Sequence, residues 1–239
     1  MGREPVKRWT VGLLTLVILC FVAACSSQES GDISMPETYF SEAITETESA
    51  DGTDGQQVSE HHKILIAYFT WADNVENTSE VDATTSASVQ TPGNVAQMAA
   101  WIQHEIGGEL FSIRVKEPYP ADYDACLDRA ADEKAENARP KLVGKVADLS
   151  EYDVVFLGYP NWWYSAPMAV FSFLEENDLS GKEIVLFCSH GTGGLASSVK
   201  DISAVLPDSQ IESNVLGVYR DDIPQSQETI QNWLKEISY

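Results

Sequence analysis

The sequence predicts an α/β fold: a three-layer sandwich built on a five-stranded parallel sheet of order 2-1-3-4-5. Short apolar runs without helical period recur between residues 63 and 239, as expected of strands buried on both faces. Segments with helical spacing of apolar residues lie between them, so each connection is a helical crossover. Loops rich in Gly, Pro, Ser or aromatic residues follow the strands, at the sheet edge where open parallel sheets take ligands.

The elements follow in order. "KILIAYF" (63–69) is the first strand, and a long loop without Lys or Arg runs from Thr70 to Thr91. A helix starts near Pro92, carries Val95, Met98, Ile102 and Ile106 on one face, and stops at Gly107-Gly108. "ELFSIRV" is the second strand, and residues 121–138 read as a charged surface helix. "DVVFLGY" is the third strand, and Pro167 opens a helix bearing Met168, Phe171 and Leu174. "EIVLFCS" is the fourth strand, followed by a glycine-rich turn and a helix near 196–205. "IESNVLGVY" is the fifth strand, and Ile230, Trp233, Leu234 and Ile237 mark the last helix.

Ahead of the domain, residues 1–25 read as an export signal. Arg3, Lys7 and Arg8 precede an apolar run of 14 residues, short for a membrane span of about 20 residues and suited to a signal-peptide core. The run ends in "VAAC", which resembles a bacterial lipobox, with Cys25 as the lipidated residue. Residues 26–62 hold nine Asp or Glu and no Lys or Arg; such a stretch is expected to be a disordered acidic tether. The protein is therefore expected to be exported and to work outside the cytoplasmic membrane, lipid-anchored to a bacterial cell membrane, with membrane contact only through that anchor.

The formal charge of −22 makes nucleic acid and anionic lipid surfaces poor partners. A basic protein or a neutral small molecule is easier to accept. Past the leader only Cys126 and Cys188 remain. Their spacing matches no zinc or redox motif, no metal cluster is evident, Cys188 reads as a small core residue, and a disulfide between the two is left open.

Three loops at the carboxyl edge carry the chemistry. The first ends in "TPGNV" at a helix start, where free N–H groups and a partial positive charge hold anions without basic side chains; Ser86, Ser88, Thr91 and Asn94 are candidate further donors. The third, "GYPNWWYSAP", supplies flat aromatics between two prolines, and the fourth, "SHGTGGLASS", supplies backbone that passes close to a ligand. The G-x-G-x-x-A pattern from Gly191 to Ala196 sits on the fourth strand–helix turn, whereas a dinucleotide fingerprint belongs on the first. Ser189-His190 lacks the G-x-S-x-G elbow of a hydrolase. A ligand with a phosphate at one end and a planar ring at the other would engage all three loops.

These residues resemble the flavodoxin family from Lys63 to about Ile237: Tyr68-Phe69-Thr70 at the end of the first strand, the P-x-W-W third loop, and the S/T-H-G fourth loop. The resemblance implies FMN as cofactor. It implies that a T-x-G-N-T-like element, here Thr91, Pro92, Gly93 and Asn94 with Val95 in place of the last threonine, wraps the phosphate, together with Thr70 and Trp71. The long insertion leaves open which Ser or Thr donates. It further implies that Pro160, Asn161, Trp162 and Trp163, with Ser189, His190, Gly191, Gly193 and Gly194, surround the ring. Trp162 or Trp163 is expected to stack on it, and His190 is as well suited to a structural hydrogen bond as to proton transfer. Acidic surroundings are expected to lower the flavin potential. The function so implied is electron transfer or flavin-dependent reduction outside the membrane, with a redox partner protein or a quinone. The alternatives are a surface binding module that has lost the flavin and an FMN-dependent reductase of quinones, nitro or azo compounds.

Overall fold

The computed structural model describes residues 62–75 and 91–239. Expectations for the leader, Cys25, the tether through residue 61, and Ser86 and Ser88 lie outside the described residues.

The strands are β1 (Ile64–Tyr68), β2 (Glu109–Ser112), β3 (Val154–Pro160), β4 (Glu183–His190), β5 (Gln210–Ile211) and β6 (Leu216–Tyr219). They form one parallel sheet of order β2-β1-β3-β4-β5, and β6 also pairs with β4. The predicted order holds, with one correction. The fifth position is filled by two short segments instead of one strand over 211–219. Between them the Asn214 N–H donates to Glu212 Oε1 at 2.7 Å and the Val215 N–H to the Ser213 carbonyl at 3.2 Å. Ser and Asn favour such local turns over ladder pairing.

The apolar runs are continuous because both faces are covered. Leu65, Ala67, Val155, Leu157, Ile184 and Leu186 face one core, while Ile66, Val154, Phe156, Val185 and Phe187 face the other. This is the period of two expected of strands. Helices α1 (Asn94–Ile106) and α5 (Gln227–Glu236) cover the second core; α3 (Met168–Glu176) and α4 (Ser198–Val205) cover the first. Gly107 ends α1 at φ 74°, its N–H donating to the Gln103 carbonyl at 2.8 Å, a positive-φ stop that glycine adopts without strain. Gly158 has a packing reason. A methyl there would sit 2.2 Å from Phe187 Cζ and 2.8 Å from Val95 Cγ1, so the ring of β4 occupies the space that a β3 side chain would take.

The charged helix α2 (Tyr123–Ala135) is capped by Asp122, which accepts from the Ala125 N–H at 2.9 Å. It is not wholly a surface element. Arg129 reaches back to the Pro118 carbonyl at 2.6 Å and pairs with Glu133 at 2.9 Å, which turns Cys126 and Ala130 inward. Cys126 and Cys188 are both buried free thiols, and burial pushes the Cys126 thiol up to about 12. Among the described residues no helix is long and apolar enough to cross a membrane.

Candidate functional site

The carboxyl ends of β1, β3, β4 and β6 converge on a cleft of about 300 Å³. That volume lies at the small end of the range for small-molecule sites, about 300–1,000 Å³. Its walls come from the first loop (Trp71), the third (Pro160 to Tyr164), the fourth (Ser189 to Gly193), the inward face of α2, and Arg220.

The first loop is fixed by a residue the sequence did not single out. Asn74 is buried. Its Nδ2 donates to the Thr70 carbonyl at 2.9 Å and the Ile113 carbonyl at 3.0 Å, and its Oδ1 accepts from the Val115 N–H at 2.8 Å. Thr70 is itself buried, so its position is set by this hub. Trp71 is anchored by Nε1 donating to the Pro120 carbonyl at 3.1 Å. Thr91 and Pro92 are exposed, Gly93 precedes α1, and among the described residues no side chain caps that helix. The first helical bond is Gln97 N–H to the Gly93 carbonyl, 2.9 Å, so the N–H groups of residues 94–96 point out of the helix end unpaired within it. Asn94 is buried and donates from Nδ2 to the Arg220 carbonyl at 3.3 Å. The Val95 side chain belongs to the core with Ile66 and Met98; what it offers a ligand is its backbone N–H.

The third loop is a tight hairpin. The Trp162 N–H donates to the Ser165 carbonyl at 2.8 Å and the Ser165 N–H to the Trp162 carbonyl at 3.0 Å. The two residues at the tip, Trp163 and Tyr164, have φ of 49° and 64°. Positive φ at both central residues defines the I′ turn, which usually takes Asn-Gly. Trp162 is half-buried, with edge-on contacts to Phe69 (5.4 Å), Tyr119 (5.2 Å) and Trp71 (6.3 Å) between ring centres. Neither indole plugs the cleft. Trp162 is held in the wall by these rings, and Trp163 stands at the mouth, 40 % exposed, its Nε1 donating to the Leu127 carbonyl at 2.9 Å.

The third and fourth loops are tied together. The Asn161 N–H donates to the Ser189 carbonyl at 2.8 Å, and Asn161 Nδ2 donates to the Gly194 carbonyl. Pro160 pairs in register with Ser189, which is buried. His190 donates from Nδ1 to the Gly191 carbonyl at 2.9 Å, and its ring lies against Gly217, where a methyl would meet Nε2 at 3.1 Å. This bond and that packing fix the orientation of the ring. Gly194 takes φ 58°.

The residues lining the cleft include no Asp or Glu, and its cation is Arg220. This corrects the expectation of acidic surroundings. The chain's negative charge is global, and among the described residues the walls are neutral or positive. Arg220, Asn74, Tyr164 and the α2 residues Tyr123 and Leu127 were missed. Tyr164 adjoins the Trp pair and was the most readable of them; the others depend on tertiary placement.

The flavodoxin family model matches residues 79–237. No curated protein matches the chain. Among solved structures, two proteins each named a putative flavoprotein are similar. The one from Bacteroides eggerthii is 26% identical with a TM-score of 0.57, covering 74% of this chain and 99% of its own. The one from Bacteroides uniformis is 24% identical with a TM-score of 0.54, covering 73% and 98%. A flavoprotein in complex with FMN from Lactobacillus acidophilus is 21% identical with a TM-score of 0.50, covering 72% and 98%.

Proposed function

Because the chain belongs to the flavodoxin family, we propose that its carboxyl-edge cleft holds FMN and that the protein serves electron transfer or flavin-dependent reduction. The observation that supports this most directly is the cleft itself. It is open, walled by aromatic rings and backbone polar groups, and free of carboxylates among its lining residues in a chain of net charge −22. A dianionic phosphate, and a ring that gains negative charge on reduction, are both favoured where carboxylates are absent from the walls.

The residues lining the cleft fit the cofactor's ring; Thr70 and Thr91 to Val95, expected at the phosphate, are not among them, and Asn94 adjoins the cleft through the Arg220 carbonyl. The N–H groups at the start of α1, with Thr91 and Gly93 beside them, would hold the phosphate end. The loss of a threonine at Val95 removes one hydroxyl but leaves the backbone donors, and the side chain's core position explains why an apolar residue is accepted there. This weighs against the binding-module alternative. Trp162 would form the inner wall beside the ring, with Asn161 and the backbone of Gly191–Gly193 at its polar edge. Bound there, FMN supplies the electron-accepting chemistry. The chain's part is to bind, orient and exclude water, and Arg220 places positive charge beside the site. That charge, offset in part by Asp221 at 3.7 Å from the Arg220 Nε, favours an electron-rich ring relative to a carboxylate-lined site.

The leader and "VAAC" pattern support work outside the membrane, lipid-anchored at Cys25. Nicotinamide cofactors of the cytosol are not at hand there, so the electron partner would be a membrane or surface redox protein or a small acceptor.

FMN titration of the purified full chain tests the cofactor. The expected result is a yellow complex of one FMN per chain with quenched tryptophan fluorescence. A chain that stays colourless and unquenched with excess FMN sinks the proposal. Recovery of the chain with soluble cytosolic protein, unlipidated, would sink the location.

A further inference from the structure

We infer that the two-stranded ribbon of residues 113–116 and 141–143, on the outer flank of β2, is a docking surface for an extended acidic segment of a protein partner. The inference is independent of whether the cleft holds FMN.

The ribbon is defined by its hydrogen bonds. Beyond β2 the chain stays extended. The Ile113 N–H donates to the Tyr68 carbonyl at 2.7 Å, and the Val115 N–H to Asn74 Oδ1 at 2.8 Å, so residues 113 and 115 bond toward β1 and the first loop. Residues 114 and 116 bond the other way. The Val143 N–H donates to the Arg114 carbonyl at 2.8 Å, and the Lys116 N–H to the Lys141 carbonyl at 2.7 Å. Val115 and Leu142 therefore stand opposite each other in an antiparallel bridge, and residues 141–143 form the outermost strand. Along such a strand successive backbone groups alternate in direction. The Leu142 N–H and carbonyl turn to the open side, with no partner among the described residues.

The same ribbon sorts its side chains. Ile113, Val115 and Leu142 are buried, so the alternate positions Arg114, Lys116, Lys141 and Val143 share the outer face, and all four are exposed. Lys145 follows just beyond, also exposed. Lys116 lies across from Lys141, and like charges directly opposite are destabilising. The chain offers 37 Asp or Glu against 15 Lys or Arg, yet none of these four cations makes an ion pair among the described residues. Arg114 Nε donates to the Asp73 carbonyl at 3.2 Å, while the Asp73 carboxylate accepts from Ser112 Oγ at 2.6 Å. Glu117, next to Lys116, is turned from the face by the alternation. A lysine on an edge strand deters pairing with other chains. That accounts for Lys141, but Arg114 and Lys116 lie on the inner strand.

Charge selects the occupant. A strand with carboxylates on one face would meet these cations, lay its carbon stems on Val143, 61 % exposed, and pair its backbone with Leu142, the mode of strand addition. A neutral or basic strand is deterred by the same lysines. A lipid headgroup has no backbone to pair, and a nucleic acid meets a body of charge −22.

The test uses the full chain and a short fluorescein-labelled peptide of alternating Glu and Val, its ends blocked, read by fluorescence anisotropy. The wild type is expected to bind it, and to bind the same peptide with Gln for Glu about tenfold more weakly, about 1.4 kcal/mol. Lys116→Glu is expected to weaken the acidic peptide about tenfold, and Lys141→Glu to repeat that loss from the other strand. Lys235→Glu, which changes the net charge equally but lies on α5, is expected to stay within about twofold of wild type. Lys116→Glu should unfold at no lower a temperature than wild type, because opposite charges then face each other across the ribbon, so its lost binding is not lost folding. Acidic peptide left unbound by the wild type overturns the inference, whether or not phosphatidylglycerol vesicles take the chain. Equal weakening by Lys116→Glu and Lys235→Glu also overturns it, since net charge would then be the cause, as does equal binding of the Glu and Gln peptides.

Discussion

Removing the Asn74 side chain should damage the first loop more than any single contact at the mouth of the cleft. Its amide makes three hydrogen bonds, to Thr70, Ile113 and Val115, in a site 2% exposed to solvent. Asn74→Ala leaves two carbonyls and one N–H without that partner. A hydrogen bond contributes about 1 kcal/mol net, and a buried group left unsatisfied costs about 1–3 kcal/mol. Three losses together give about 3–4 kcal/mol, a large share of a domain stability of about 5–15 kcal/mol. Asn161→Ala, which loses one side-chain bond, to Gly194, at a half-buried position, is expected to cost about 1 kcal/mol. Urea unfolding followed by circular dichroism measures both. FMN titration of Asn74→Ala should also show weaker binding, because Trp71 and Thr70 lose their fixed positions. A cost below about 1 kcal/mol for Asn74→Ala, or one no larger than for Asn161→Ala, would refute the hub.

Gly158→Ala should cost about 3 kcal/mol, the upper end for overpacking, because three contacts to Phe187 and Val95 fall below 3.0 Å. In a double-mutant cycle with Phe187→Leu a coupling above about 1 kcal/mol is expected, and additive losses would contradict the clash. At the turn, Tyr164→Gly should be more stable than Tyr164→Ala by about 1 kcal/mol, since both lack the ring and only glycine is at ease at φ 64°; thermal unfolding decides, and equal stabilities would show that the turn is unstrained. The turn should also loosen in acid. Burial pushes the Asp201 carboxyl up, but the Ser165 and Ser197 hydroxyls outweigh this and hold it below its ordinary 3.8. A depressed folded value means that its stabilisation is complete above 3.8 and fades as pH falls through the lower folded value. Trp163 fluorescence should report that change below about pH 4, and Asp201→Asn should abolish it; an unchanged acid titration in the variant would assign the effect to another group.

The sheet was legible because its strands are covered on both faces. "DVVFLGY" and "EIVLFCS" have no polar alternation to mislead, and the structure pairs them in register from Val154–Glu183 to Pro160–Ser189. The edge strand was overread. Its apolar residues sit either side of Glu212, Ser213 and Asn214, and the turn chemistry of those residues prevailed over ladder pairing. In the site, Asn161 and the fourth-loop glycines stood beside a recognisable aromatic pair, so a local pattern found them. Arg220 could not be found in this way. It comes into the cleft because β6 ends beside His190, whose carbonyl accepts from the Arg220 N–H at 2.8 Å. Helix α2 was read as surface from its charges, yet Arg129 spends its guanidinium on backbone carbonyls and swings an apolar edge onto the cleft. Such placements depend on partners distant in sequence, and periodicity does not encode them. Net charge likewise did not say which groups line the cleft: among the described residues its walls hold no Asp or Glu, and carboxylates such as Asp221, at 3.7 Å from Arg220, stand behind them.

That separation of far field from doorway has a kinetic consequence. A doubly negative phosphate approaching a body of charge −22 climbs a repulsive potential until it reaches Arg220. Added salt flattens that hill while touching the close contacts less. Capture of such an anion should therefore quicken with ionic strength, the reverse of electrostatic steering. Neutral visitors, which feel no such barrier, would arrive at the same pace in brine and in dilute buffer.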